Sequence, residues 1–223
     1  MEQTEIQSIN SIKNKIVSTN NNITPNVQKE YDEPFIYFAF GNICFATATF
    51  LLGLINFYSY NPIFLTIYGF FFPGWGQIIV AHYAYKFKYY LDGNIYFFFA
   101  INWFANACYD LFPIWGWMEP LNHTEYGIHN LMGTLFVIIF FVQNLVGTSH
   151  LLRVLFIFIL GGFIFSTIGN FADSSAVRKI GGIFNFITAA IAYYDGFGMI
   201  INQKRHKITM PLFDGKAFGQ KLD

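Results

Sequence analysis

Between Pro34 and Tyr85 the chain contains no Asp, Glu, Lys or Arg, and the same holds for residues 126–152, 154–172 and 180–194. A helix packed in a soluble core needs a charged or polar outer face to meet water. Those faces are missing, so lipid is the better solvent for the outer surface. Composition agrees. Hydrophobic residues make up 54% and charged residues only 12%, against about 25% charged in a soluble domain, and mean hydropathy is +0.40.

Crossing the hydrocarbon core takes about 20 mostly apolar residues in a helix. Six segments qualify, spanning about Pro34–Phe57, Ile63–Tyr85, Asn94–Leu111, Asn130–Val146, Leu151–Phe171 and Ile180–Asn202. The second carries Pro73-Gly74, and Pro113–His129 reads as a wet loop. Period-2 alternation is absent and the runs are too long for strands. The expected fold is therefore all-α, an integral membrane bundle of six transmembrane helices. Residues 1–32 form a polar cytosolic N-terminal tail, 33–203 the membrane domain, and 204–223 a polar cytosolic C-terminal tail. Three helices followed by three put the halves in opposite orientation, the arithmetic of a 3+3 inverted repeat.

Orientation follows from the basic residues. With the N-terminus inside, every one of the 13 Lys and Arg residues except Arg178 and Lys179 falls on the inner side. Trp115 and Trp117 then mark the outer interface, and Tyr83, Tyr85, Tyr89 and Tyr90 the inner one. Asn122-His123-Thr124 is a glycosylation sequon on the outer loop. The first thirty residues contain Glu2, Glu5 and Glu30 and no apolar core, so neither a secretory signal nor a cleavable presequence is expected. The plasma membrane and the mitochondrial inner membrane are the expected locations. A net charge of +0 gives no reason to expect a nucleic-acid partner.

Polar groups inside a bilayer are costly, and tend to face the bundle interior or a water-filled path. Asn42, Gln77, Asn102, Asn106, Gln143, Asn144, Asn170, Asn185 and Asp195 are of this kind. Each has an alternative reading as interhelical hydrogen-bond glue. Asp195, flanked by Tyr194 and Gly196, reads either as a pathway carboxylate or as one reaching for the inner headgroups. His82 and Asp110 fall near helix ends. Cys44 and Cys108 read as small hydrophobes. No HExxH, CxxC, GxSxG or GxxxxGKS pattern occurs, so no catalytic residue, metal site or cofactor is expected.

The stretch from Ile168-Gly169-Asn170-Phe171-Ala172 to Pro211, with Ala192-Tyr193-Tyr194-Asp195 and Met210-Pro211-Leu212, resembles the last hairpin and tail of the acetate uptake transporter family, the succinate–acetate permeases. Gly147-Thr148 with Arg153-Val154-Leu155, the trio Gly74, Gln77 and Ala81, and Gly93-Asn94 extend the likeness over roughly Glu33–Phe213. The family's first-helix hallmark, Asn-Pro-Ala-Pro-Leu-Gly-Leu, reads Glu33-Pro34-Phe35-Ile36-Tyr37-Phe38-Ala39 here, and its Gly–Phe gate reads Gly41-Asn42. Its Ser-Tyr-Gly-Ser-Phe-Trp in the third helix reads Trp103 to Cys108.

The resemblance implies transport of acetate or a similar small monocarboxylate through a pore in each protomer of a homo-oligomer embedded in the lipid bilayer. The expected pathway residues are Gln77, Asn42, Phe104, Asp195, Tyr194 and Asn106. The alternative is a transport-inactive member, a structural subunit of a larger membrane complex, its mouth plugged by the bulk of Phe35, Ile36, Tyr37 and Phe38.

Overall fold

The computed structural model describes residues 36–58, 62–145, 149–205 and 209–212. These residues form helices joined by short turns, with no strand among them. In order they are α1 (Ile36–Tyr58), α2 (Pro62–Gly69), a π-helical segment (Phe70–Gly76), α3 (Gln77–Lys86), α4 (Tyr90–Ile114), α5 (His123–Asn144), α6 (His150–Phe171) and α7 (Ser175–Arg205). Gly69 and Gln77, at the two ends of the π segment, both have right-handed helical backbones, so α2, the π segment and α3 run on as one rod. Six crossings result. Among the described residues, α1, α5, α6 and α7 are each long and apolar enough to span a membrane. An all-α bundle of six is what the charge-free runs predict.

Several ends differ from expectation. α4 begins at Tyr90 and runs to Ile114. α5 starts at His123, well before the expected Asn130, because Asn122 and Glu125 form a capping box: the Asn122 side chain accepts from the Glu125 amide and the Glu125 side chain accepts from the Asn122 amide. The wet loop is thus shorter than expected, and the asparagine of the outer sequon serves as a helix cap. α7 starts at Ser175, which draws Arg178 and Lys179 into its first turns. The expected N-terminal tail, residues 1–32, together with Glu33, Pro34, Phe35 and Gly147-Thr148, lies outside the described residues.

The π segment follows from Pro73. Proline has no N–H, and its ring crowds the carbonyl four residues back, so a regular α-helix cannot pass through it unaltered. Wider π turns are one solution, and often occur at functional sites. The small residues of this stretch face inward. A Cβ on Gly76 would sit 2.9 Å from Cys44 Sγ on α1, and one on Gly74 would sit 2.9 Å from the Phe104 ring on α4. The bulky residues, Phe71, Phe72 and Trp75, are exposed on the outside. The second helix of the other half, α6, has no such break.

Elsewhere small residues again set the approach of helices, as expected where lipid tails are as apolar as leucine. Gly196 on α7 brings a would-be Cβ 2.9 Å from the backbone carbonyl of Ala39 on α1. Gly162 on α6 leaves room for the Asn185 side chain of α7. Inside, Phe45, Ala46, Phe99, Val137, Phe140, Leu155, Phe156, Ile159 and Ala192 form one apolar cluster. Only 28% of the spanning windows of α5 and α6 is buried, so most of their apolar surface is left for lipid or neighbouring subunits.

Gly74→Val should force a branched side chain against Phe104 and the Gly69 carbonyl. We expect a loss of about 1–3 kcal/mol, the usual cost of overpacking, read as a lower unfolding temperature by tryptophan fluorescence in detergent.

Candidate functional site

Three helices meet at a hydrogen-bonded cluster in the inner half of the bundle. Asn42 on α1 donates from Nδ2 to Asp195 Oδ2 on α7 at 2.6 Å. Tyr96 on α4 donates its hydroxyl to Asn42 Oδ1 at 2.7 Å. All three side chains are buried, Asp195 at 2% exposure. Asparagine suits the middle position because its amide offers a donor and an acceptor at once. Gly41, next in sequence, packs against the same Tyr96 ring. Asp195 is therefore held inside the bundle by α1, instead of reaching for the headgroups. Thr47 and Tyr193 tie the same two helices one turn further out, at 2.8 Å.

Among the described residues, two cavities lie along the bundle. The larger, about 520 Å³, opens at the end that carries the α4–α5 loop and the α6–α7 turn, the outer end by the charge bias. Its wall is rich in amides, including Asn102, Asn106, Asn130, Asn170 and Asn185. Arg178 and Lys179 stand at the mouth. Asp110 also lines it, with Oδ2 accepting from the Thr66 hydroxyl at 2.6 Å. The smaller cavity, about 50 Å³, is lined by Asn42, Gln77, Asp92, Tyr96 and Asn144 together with apolar neighbours. Gln77, the first residue after the π segment, is 1% exposed, and neither its Oε1 nor its Nε2 has a hydrogen-bond partner among the described residues. A buried amide without partners costs about 1–3 kcal/mol, so Gln77 is the candidate binding group in this wall.

The two cavities share three wall residues, Phe45, Phe99 and Ile159. These come from α1, α4 and α6, and each is at most 7% exposed. The Phe45 and Phe99 rings lie 4.9 Å apart between centroids. An apolar collar thus separates a wide outer chamber, with amides set in its wall, from a narrow inner one.

Of the side chains singled out in the sequence, Gln77 and Asn42 border the inner cavity and Asn106 the outer one. Phe104 faces the π segment, edge-on to Phe70 and Trp75, and lines neither cavity. Tyr194 donates to the Pro211 carbonyl at 2.8 Å and so fastens the C-terminal segment. That segment is also gripped by Asn202, whose Oδ1 accepts from the amides of Thr209 and Met210. Tyr37 stacks on Tyr83 with centroids 3.7 Å apart, and Phe38 packs on Tyr89 and Tyr96. Neither lines either cavity. The collar and Tyr96 escape a sequence search that looks for polar residues, because Phe45, Phe99 and Ile159 resemble the lipid-facing residues around them. Among the described residues no three His, Cys, Asp or Glu side chains converge as a metal set.

The sequence model of the GPR1/FUN34/yaaH family matches residues 18–214. The solved structure of a bacterial acetate channel, SatP, shares this fold, with a TM-score of 0.75 at 23% identity, over 79% of this chain and 97% of that one. No curated protein sequence matches the chain.

Asn42→Leu removes both bonds at the cluster's centre. We expect it to lower stability by about 1–3 kcal/mol and, with Asp195→Leu, to give a double variant less damaged than the sum of the two single ones, since neighbours in one network do not add. Thermal unfolding of the four proteins in one detergent measures this.

Proposed function

We propose that this chain, which belongs to the GPR1/FUN34/yaaH family, is an integral membrane protein that conducts acetate or a similar small monocarboxylate through a path within each protomer of a homo-oligomer. The observation that carries the reading is the pair of chambers in line, joined at one apolar collar. A carboxylate enters the outer chamber past Arg178 and Lys179, which raise the local concentration of anions. It then meets a wall of amides, which offer donors without a fixed positive charge. A site on a conduction path must bind well enough to admit the solute and weakly enough to release it, and neutral amides meet both demands.

At the collar, Phe45, Phe99 and Ile159 offer no hydrogen bond to an anion. Short acids with one small apolar tail pass most readily, because little of their surface is polar and their girth is small. Inside, Gln77 donates from Nε2 to the carboxylate, and Asn42 borders the same chamber. Asp195 holds Asn42 in place, and so acts on the path through it. Both termini face the cytoplasm-like side, in the plasma membrane or the mitochondrial inner membrane. Tyr37 and Phe38, two of the bulky residues at the first-helix mouth, pack onto α3 and α4 beside the path and lend no support to a plugged structural subunit.

Uptake of labelled acetate into liposomes carrying the purified protein tests this. The wild type should load acetate above empty vesicles. Gln77→Leu should raise the half-saturating concentration about tenfold, the value of one hydrogen bond to a charged group. The wild type should exclude benzoate, and Phe99→Ala should admit it. Well-folded wild-type protein that loads no acetate would overturn the reading.

A further inference from the structure

Two polar groups on α7 remain without partners in the wall of the outer chamber. Asn185 is 6% exposed and Thr188 1%. Asn185 Nδ2 and Thr188 Oγ1 are buried and have no hydrogen-bond partner among the described residues. Both side chains line the outer chamber. Most buried polar groups are paired, and each exception calls for an explanation. Two donors three residues apart on one helix face call for a common one. They lie about 4.5 Å apart along the axis, a span that the two oxygens of one carboxylate can bridge.

Their level in the bundle gives the station its meaning. Ala192, one turn further in on the same face, packs in the apolar cluster that holds Phe45, Phe99 and Ile159. Arg178 lies two turns further out on that face, donating to the Gly169 carbonyl and to Asp173. Gly162 of α6 clears the space that Asn185 occupies, and any larger residue there would strike its Oδ1. Asp110, also in the chamber wall, is held by the Thr66 hydroxyl.

We infer that Asn185 and Thr188 form an uncharged docking station for a single carboxylate, about one helical turn outside the apolar collar. This deepens the transport reading and rests on it for its place along a path. The Thr188 hydroxyl and the Asn185 amide donate to the two carboxylate oxygens. The apolar tail of the acid then points at Phe45, Phe99 and Ile159, already aligned to enter the collar tail first. Acids with a second charged group cannot present such a tail, so the station favours monocarboxylates.

Binding of carbon-13 acetate to the full-length protein in detergent, followed by saturation-transfer NMR, tests the station apart from transport. Thr188→Val and Asn185→Leu should each weaken binding about 3- to 10-fold, the value of one hydrogen bond. Thr188→Ser, which keeps the hydroxyl, should bind as the wild type does, which guards against a mere folding defect. Variants that bind acetate like the wild type, or a wild type that binds none, would overturn the station. Thr188-dependent binding by a protein that loads no acetate into liposomes would sustain the station and overturn the transport reading instead.

Discussion

A carboxylate taken into a bilayer must be matched by hydrogen bonds, and the tie between Asp195 and Asn42 is where this chain meets that demand. The amide of Asn42 cannot serve Asp195 and Tyr96 together unless α1, α4 and α7 meet at one level. That meeting fixes the first and last helices against each other, with Gly196 allowing α7 to come within backbone contact of α1. The inner chamber is the space left beside the tie, bordered by Asn42 and Tyr96 themselves. In a solvent where apolar burial between helices gains little, such polar ties and small-residue contacts decide which arrangement is reached.

The π segment plays the matching part on the opposite wall. Pro73 forces a change of helical winding, and Gln77 emerges from it without a partner, facing the chamber. The wider turns and the glycines let this rod lie close to both Cys44 of α1 and Phe104 of α4. One local irregularity thus supplies both close packing and the aim of a functional side chain. The outer chamber has no such device. Its width reflects the many short amides in its wall, which fill less space than the aromatic rings of the collar below.

Much of this was legible in the sequence. Charge-free runs foretell six crossings, because a charge is costly in lipid. Gln77, Asn42 and Asn106 stand out as polar residues in apolar surroundings, and all three border a cavity. The collar was not legible. Phe45 and Phe99 are two of 29 phenylalanines, and only the tertiary arrangement separates a ring that narrows a path from one that faces lipid. Phe104 shows the same limit in reverse: alignment to a family motif assigns it to the pore, whereas local packing turns it toward the π segment. Helix ends were misjudged where capping chemistry, as at Asn122, lets a polar stretch join a membrane helix.

The central claim is that acetate crosses inside the protomer, through the outer chamber and then the collar. The most direct test uses Asn102→Cys, in the outer wall, in a protein whose Cys44 and Cys108 are replaced by alanine. Acetate uptake into liposomes is measured before and after a bulky, membrane-impermeant thiol reagent is added from outside. The account predicts that full labelling blocks uptake by the outward-facing molecules. Uptake that proceeds unchanged through fully labelled protein would contradict it, and would send the solute by another route.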